Sequence, residues 1–221
     1  MNTTTSAQPK KEKNVWRTLF GWFVFGLVLF VAIGYLMGGR FDPLKAALRH
    51  PSVGEQAQLL GEHSSKKRRV YVFDNGDYYY TVMSAYRFPF WRADKRTTYA
   101  YRNDDDVQLL GWYQEHNRLN TMTVIPLRSF DPEVTTFVLG RDRVEQVSGT
   151  GEVLFFYWDR VVSWKELDGQ ALDAEGTVRY TLGYDDYGQS TTTSDIHWFA
   201  VPPSGSPEGP PEAQAEGNSD S

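Results

Sequence analysis

The run from Leu19 to Met37 is nineteen consecutive residues with no formal charge and no Asn, Gln, Ser, Thr or Pro. As an α-helix it extends about 28 Å, close to the ~30 Å hydrocarbon core of a bilayer. A helix on the surface of a soluble domain needs a polar face, and no phase of this run supplies one. Trp16, Trp22 and Tyr35 stand toward its ends, where amphipathic rings favour the membrane–water interface. A cleaved signal peptide is the competing reading, with Ala32-Ile33-Gly34 as a small-x-small site. The apolar region of such a peptide is shorter, about 7–15 residues, whereas this one runs on past that site. The sequence therefore predicts a retained signal anchor over residues 19–37.

Flanking charge sets the expected orientation. Lys10, Lys11, Lys13 and Arg17 crowd the side before the span, while Arg40, Lys45 and Arg49 are spread over the side after it. That bias favours a short basic cytoplasmic segment, residues 1–18, with the rest of the chain exported from the cell membrane. Gly34 and Gly38 form a GxxxG at the outer end of the span, a pattern that lets two helices approach closely, so self-association through these glycines is one expectation.

Beyond the span, Asp42-Pro43 reads as an N-cap followed by proline at the first helical position, opening a short helix through Ala47 and Leu48. Ser52-Val53-Gly54-Glu55 reads as a capping box leading a second helix to Leu60. Residues 38–69 are thus expected to form a helical collar. From residue 70 the pattern changes to strands: the fold class predicted is a single transmembrane helix, short helices, then a mainly β antiparallel sheet or sandwich domain over 70–201. The clearest hairpin is "VYVFDNGDYYYTVM". A type I′ turn centred on Asn75-Gly76 would pair Phe73 with Tyr78, Val72 with Tyr79 and Tyr71 with Tyr80. Further strands are expected at 97–102, 121–127, 134–139, 153–158, 177–184 and 196–201, with a tight turn at Asp173–Gly176. Residues 107–113 fit neither the helical nor the strand period. The segment from Pro202 to Ser221 is Pro/Gly/Ser/Glu-rich and is expected to be a disordered acidic tail.

The net charge of −5 conceals a division. Residues 41–102 carry +5, residues 103–200 carry −10 and residues 201–221 carry −4. Either the membrane-proximal third faces anionic material, or the two parts compensate each other within one fold. The run Lys66-Lys67-Arg68-Arg69 is a candidate for contact with anionic headgroups or wall polymers, each cation contributing about 1 kcal/mol near such a surface. A solvated edge before a strand is the plainer reading. In residues 86–102, Arg87, Trp91, Arg92, Arg96, Tyr99 and Tyr101 interleave rings with cations and form a candidate ligand-binding face. The alternative is that the rings fill the core while the cations reach outward.

No reactive constellation appears. Cysteine is absent, so thiolate chemistry, disulfides and cysteine-ligated zinc are excluded. The four histidines are scattered, with no HExxH, GxSxG or phosphate-binding loop. Gly149-Thr150-Gly151 reads as a turn, and the acidic groups at 104–106 and 185–186 lack the alternating ligands of a calcium loop. No catalytic residue, metal site or cofactor is assigned. In layout the chain resembles bitopic proteins of the bacterial envelope. The expectation is a non-enzymatic, membrane-anchored ectodomain that binds an envelope protein or anionic polymer rather than nucleic acid. A subunit of a multi-protein membrane assembly for secretion, sporulation or division is the first alternative, and an enzyme acting on envelope glycans or lipids the second.

Overall fold

A computed structural model describes residues 13–117, 120–184 and 196–202. The expected tail beyond Pro202 and the acidic pair at 185–186 lie outside the described residues, as do Lys10 and Lys11. The chain divides into two compact units, residues 1–99 and 100–221.

The first unit opens with α1 (Lys13–Leu36), of which Val15–Leu36 is long and apolar enough to cross a membrane. Only 6% of its most apolar window is buried, so it is not the core helix of a soluble domain. The helix starts earlier than the apolar run and stops one residue sooner, because Gly38 adopts φ +85°. Gly39 N–H then donates to Gly34 C=O at 2.9 Å and Gly38 N–H to Tyr35 C=O at 3.1 Å, the paired bonds of a Schellman ending. Gly38 is therefore the helix terminator and does not belong to the helical face of Gly34.

The short helix α2 (Pro43–Ala47) forms as its sequence predicts. Asp42, extended at φ −110° and ψ 130°, accepts Lys45 N–H at 2.8 Å, and Pro43 follows it. The second collar helix does not form. Gly54 lies at φ +72°, outside the right-handed helical region, and residues 58–60 belong to β1 (Gln58–Ser65). The capping-box pattern is overridden by pairing of this segment with β2 (Arg68–Asp74).

β1, β2, β3 (Tyr78–Arg87) and β4 (Phe90–Tyr101) make one four-stranded sheet in that order. The β2–β3 register differs from the sequence reading: Phe73 faces Tyr80 and Asp74 faces Tyr79. Asp74 Oδ1 accepts Gly76 N–H at 2.8 Å, and Asn75 Oδ1 accepts Tyr78 N–H at 3.0 Å. These side-chain acceptors move the turn on by one residue, so that Gly76-Asp77 are its centre, with glycine at the first central position as in a II′ turn. Because each partner changes by two positions, the rings stay on their expected faces. α2 covers one face, burying Ala47 and Val53 with Tyr71, Phe73 and Val82; Ser84 Oγ donates to Pro43 C=O at 2.9 Å.

The second unit contains two sheets. One runs β10 (Val153–Trp158), β7 (Asn120–Ser129), β5 (Val107–Leu109), with β6 (Tyr113–Asn117) also on β7. The stretch that fitted neither period is thus two short strands separated by Leu110–Trp112. The other runs β13 (Ile196–Ala200), β12 (Val178–Tyr184), β11 (Gln170–Leu172), β8 (Thr136–Leu139), β9 (Val144–Val147). Ile125, Leu127, Phe156 and Trp158 from the first sheet meet Phe137, Leu139, Ala171, Ile196 and Trp198 from the second in one core. Full burial of each large apolar side chain contributes about 1.5–3 kcal/mol. The Asp173–Gly176 turn forms as expected, with Asp173 Oδ1 accepting the N–H of Glu175 and Thr177. Gly149–Gly151 is also a turn, Glu152 N–H donating to Gly149 C=O at 3.0 Å. The outcome is one apolar N-terminal helix followed by a mainly antiparallel β architecture.

Candidate functional site

The distinctive site of the first unit is the joint between α1 and the sheet. Arg40 N–H donates to Trp91 C=O at 2.9 Å and Trp91 N–H returns the bond to Arg40 C=O at 2.6 Å, an antiparallel bridge onto β4. The Arg40 side chain, only 8% exposed, turns back to the end of α1. Its Nη1 donates to Tyr35 C=O at 2.9 Å and Gly39 C=O at 2.6 Å, and the guanidinium lies 3.8 Å from the Tyr35 ring centroid. A cation at the helix C-terminus also complements the macrodipole. One residue along, the Phe90 ring occupies the open side of Gly34, where an added Cβ would come closer than 3 Å to three ring atoms. Phe30 and Phe41 flank that ring at 6.3 and 5.1 Å between centroids. Gly34 thus receives a ring from its own chain. With Gly38 outside the helix, the two glycines do not share one helical face.

The expected interfacial rings all lie on α1 and are exposed. Trp16 is near its start and Tyr35 one residue from its end, under Arg40. Trp22 lies about two turns inside and meets Phe25 edge-on at 6.1 Å.

The basic run forms the β1–β2 turn. Ser65 pairs with Arg68, leaving Lys66-Lys67 as its two-residue tip, both exposed, with Lys66 at φ 46°. Tyr86 N–H donates to Lys67 C=O at 2.8 Å, so this turn sits at the same end of the sheet as the β3–β4 turn, Phe88–Pro89. The Phe88–Pro89 peptide is cis. Arg69 donates to Ser64 Oγ and lies over the Trp91 ring at 5.8 Å, and Trp91 meets Tyr86 at 5.3 Å. Cations therefore gather at the end of the sheet where α1 is joined. The opposite end carries the Asp74–Asp77 turn.

The candidate ligand face of β4 is split by its pleat. Tyr99 packs with Tyr78 at 5.6 Å and Tyr80 at 6.4 Å, on the face that also carries Trp91, and Tyr99 and Tyr101 remain exposed. Arg92 and Arg96 alternate to the other face. Arg87 is on the β3–β4 turn side. The six residues do not form one surface, although the tyrosines do.

In the second unit, the Tyr180 hydroxyl donates to Asp131 Oδ2 at 3.0 Å and stands 3.5 Å from Asp106 Oδ2. Arg179 lies 3.8 Å from Asp131 Oδ2 and pairs with Glu133. Burial, the hydrogen bond to Asp131 and its charge push the Tyr180 phenol up to about 12. It is thus a protonated donor bracing this corner rather than a nucleophile. His197 Nδ1 lies 3.9 Å from Asp105 Oδ2. Among the described residues no three His, Asp or Glu side chains gather as metal ligands.

In the sequence Arg40 reads only as a flanking charge, and nothing there singles out Phe41, Phe88 or Phe90. The available signal was the coincidence of small residues at 34 and 39 with an arginine directly after the span. No family model, curated protein or solved structure matches the chain.

Proposed function

We propose that this chain is a single-pass membrane protein whose α1 holds a mainly β ectodomain against the cell envelope, where it binds a protein or anionic polymer without catalysing a reaction. The observation that carries the reading is the joint at Arg40: the apolar, almost wholly exposed helix runs into the sheet with no flexible spacer. A signal peptide destined for removal has no need of ring packing at Gly34 or of carbonyl capping by a folded-domain arginine. The cation bias before the span supports a cytoplasmic N-terminus. The exposed tyrosines of β4 offer stacking and hydrogen-bonding area suited to a polymer or protein partner.

The test uses the absence of native cysteine. Asn75→Cys in the full chain should react with a membrane-impermeant maleimide on intact cells, and the protein should resist carbonate extraction. Labelling only after permeabilisation contradicts export, and carbonate extraction contradicts anchoring. A photocrosslinker at Tyr99 should capture a specific envelope component; no adduct contradicts the binding role.

The second reading, a subunit of a membrane assembly, is favoured by the open apolar flank of α1 formed by Leu27, Val28, Val31, Ala32, Tyr35 and Leu36. Crosslinks from Val28 to another membrane protein, with none from Tyr99, would favour it.

A further inference from the structure

The β3–β4 turn is chemically unlike the other turns of its sheet. Phe88 at its tip is 84% exposed, and Phe41, which packs on the Phe90 ring, is 63% exposed. A tight turn in water gains nothing from a large uncovered ring, and two neighbouring ones need a covering. What covers them follows from their height along α1. The Phe90 ring, two residues from Phe88, packs against Phe30 and Gly34. Phe30 lies six residues before the last residue of α1, about 9 Å along its axis. Val15–Leu36 spans about 33 Å, so a ~30 Å hydrocarbon layer that accepts this helix reaches the level of Phe30 and Gly34. A ring packed there lies at membrane depth.

From this geometry we infer that the β3–β4 turn is a second membrane contact. Phe88 and Phe41 dip into the lipid interface beside α1, while Lys66, Lys67 and Arg87 meet anionic headgroups around them. The inference rests on the anchoring reading above and adds an occupant for the exposed rings: the same bilayer that holds α1. The charge pattern agrees. The β1–β2 turn lies at this end of the sheet through the Tyr86–Lys67 bond, so its lysines share that end with the aromatic tip. The acidic turn with Asp74 and Asp77 is at the far end. An aromatic tip flanked by cations matches the interfacial preferences of both residue types. A second copy of the chain is the other occupant such rings accept, and the test removes it.

The experiment reads nitroxide depth in the full chain, reconstituted at one molecule per nanodisc of phosphatidylcholine and phosphatidylserine. Labels are placed singly at Leu27→Cys, Arg87→Cys (leaving Phe88 intact), Phe88→Cys and Asn75→Cys. Accessibility to oxygen is compared with accessibility to a water-soluble nickel chelate. The 87 and 88 labels should be oxygen-rich and several-fold less open to nickel than the label at 75. Lys66→Glu with Lys67→Glu should raise nickel access at 87 in these discs but not in discs of phosphatidylcholine alone. A protected label at 27 with water-open labels at 87 and 88 overturns this inference and leaves the anchor standing. A water-open label at 27 overturns both. Protection at 87 and 88 that is unchanged by the charge reversal overturns the role given to the lysines.

Discussion

Arg40 and Trp91 exchange both of their backbone hydrogen bonds, at 2.9 and 2.6 Å, and so join the end of an apolar helix to a strand of the folded unit. The Arg40 guanidinium meanwhile donates to the carbonyls of Tyr35 and Gly39 at that helix end. Replacing Arg40 with Ala should cost about 1.5–3 kcal/mol, the range for hydrogen bonds made by a charged donor. Lys should restore only part of this, because its ammonium can donate to carbonyls but lacks the planar guanidinium that lies on the Tyr35 ring. Thermal unfolding in nanodiscs followed by tryptophan fluorescence checks the order wild type, Lys, Ala.

The two glycines near the helix end should fail for different reasons. Gly34→Ala drives a methyl into the Phe90 ring, an overpacking expected to cost about 1–3 kcal/mol. Adding Phe90→Leu should recover part of that loss. Gly38→Ala meets no neighbour but must adopt φ +85°, costing about 1–2 kcal/mol, and no change at Phe90 should rescue it. Neither substitution should alter the oligomeric state seen by crosslinking, whereas a shift in it would restore the helix–helix role for these glycines.

At the far end of the sheet, Gly76→Ala should destabilise by about 1–2 kcal/mol because its φ of +101° is closed to side chains. Asn75→Ala should cost about 1 kcal/mol through loss of the acceptor for Tyr78 N–H. Amide exchange across β2 and β3 should accelerate in both variants.

Much of this architecture was legible in the residues themselves. Absence of any polar phase marks α1, Asp42-Pro43 marks α2, and Val153–Trp158 is strand-like over its full length. What escaped was decided by partners distant in sequence or by competing local bonds. Residues 52–55 carry a helix-start signal, yet β2 claims residues 58–60, where that helix would run, as part of an edge strand. Asn75-Gly76 is a strong turn signal, but the acceptors on Asp74 and Asn75 select the next pair as the centre. The candidate face on β4 looked continuous because ring and cation alternate closely, and a pleat sends alternate residues to opposite sides. Arg40 and Trp91 are far apart in sequence and are joined only when the chain folds.

In the second unit, Tyr180 should titrate near 12, above the ordinary 10, with burial the larger cause and the Asp131 bond next. Since folding raises this pKa, the stabilisation is complete below pH 10 and is lost as pH rises through 12. Asp131→Asn should lower the Tyr180 value only part of the way, because burial remains. The Tyr180→Phe difference in phenolate absorbance isolates the signal.

Glu166 should behave in the opposite sense. The hydrogen bond from Arg160, at 2.7 Å, holds its carboxyl below the usual carboxylate range. Its contribution is therefore present above the ordinary carboxylate pKa and lost as pH falls through the lowered value. Arg160→Gln should raise the Glu166 pKa in a carboxylate NMR titration and weaken the acid dependence of stability.

We propose that α1 and the first sheet move as one piece, so that a membrane holding α1 would fix the attitude of the first unit. Paired nitroxides at Val28→Cys and Asn75→Cys in the cysteine-free chain, reconstituted in nanodiscs, report this by pulsed dipolar spectroscopy. The expected result is a single narrow distance distribution that broadens in Arg40→Ala. A broad distribution in the otherwise unaltered chain, unaffected by Arg40→Ala, would mean that the anchor is a loose tether and would contradict the account.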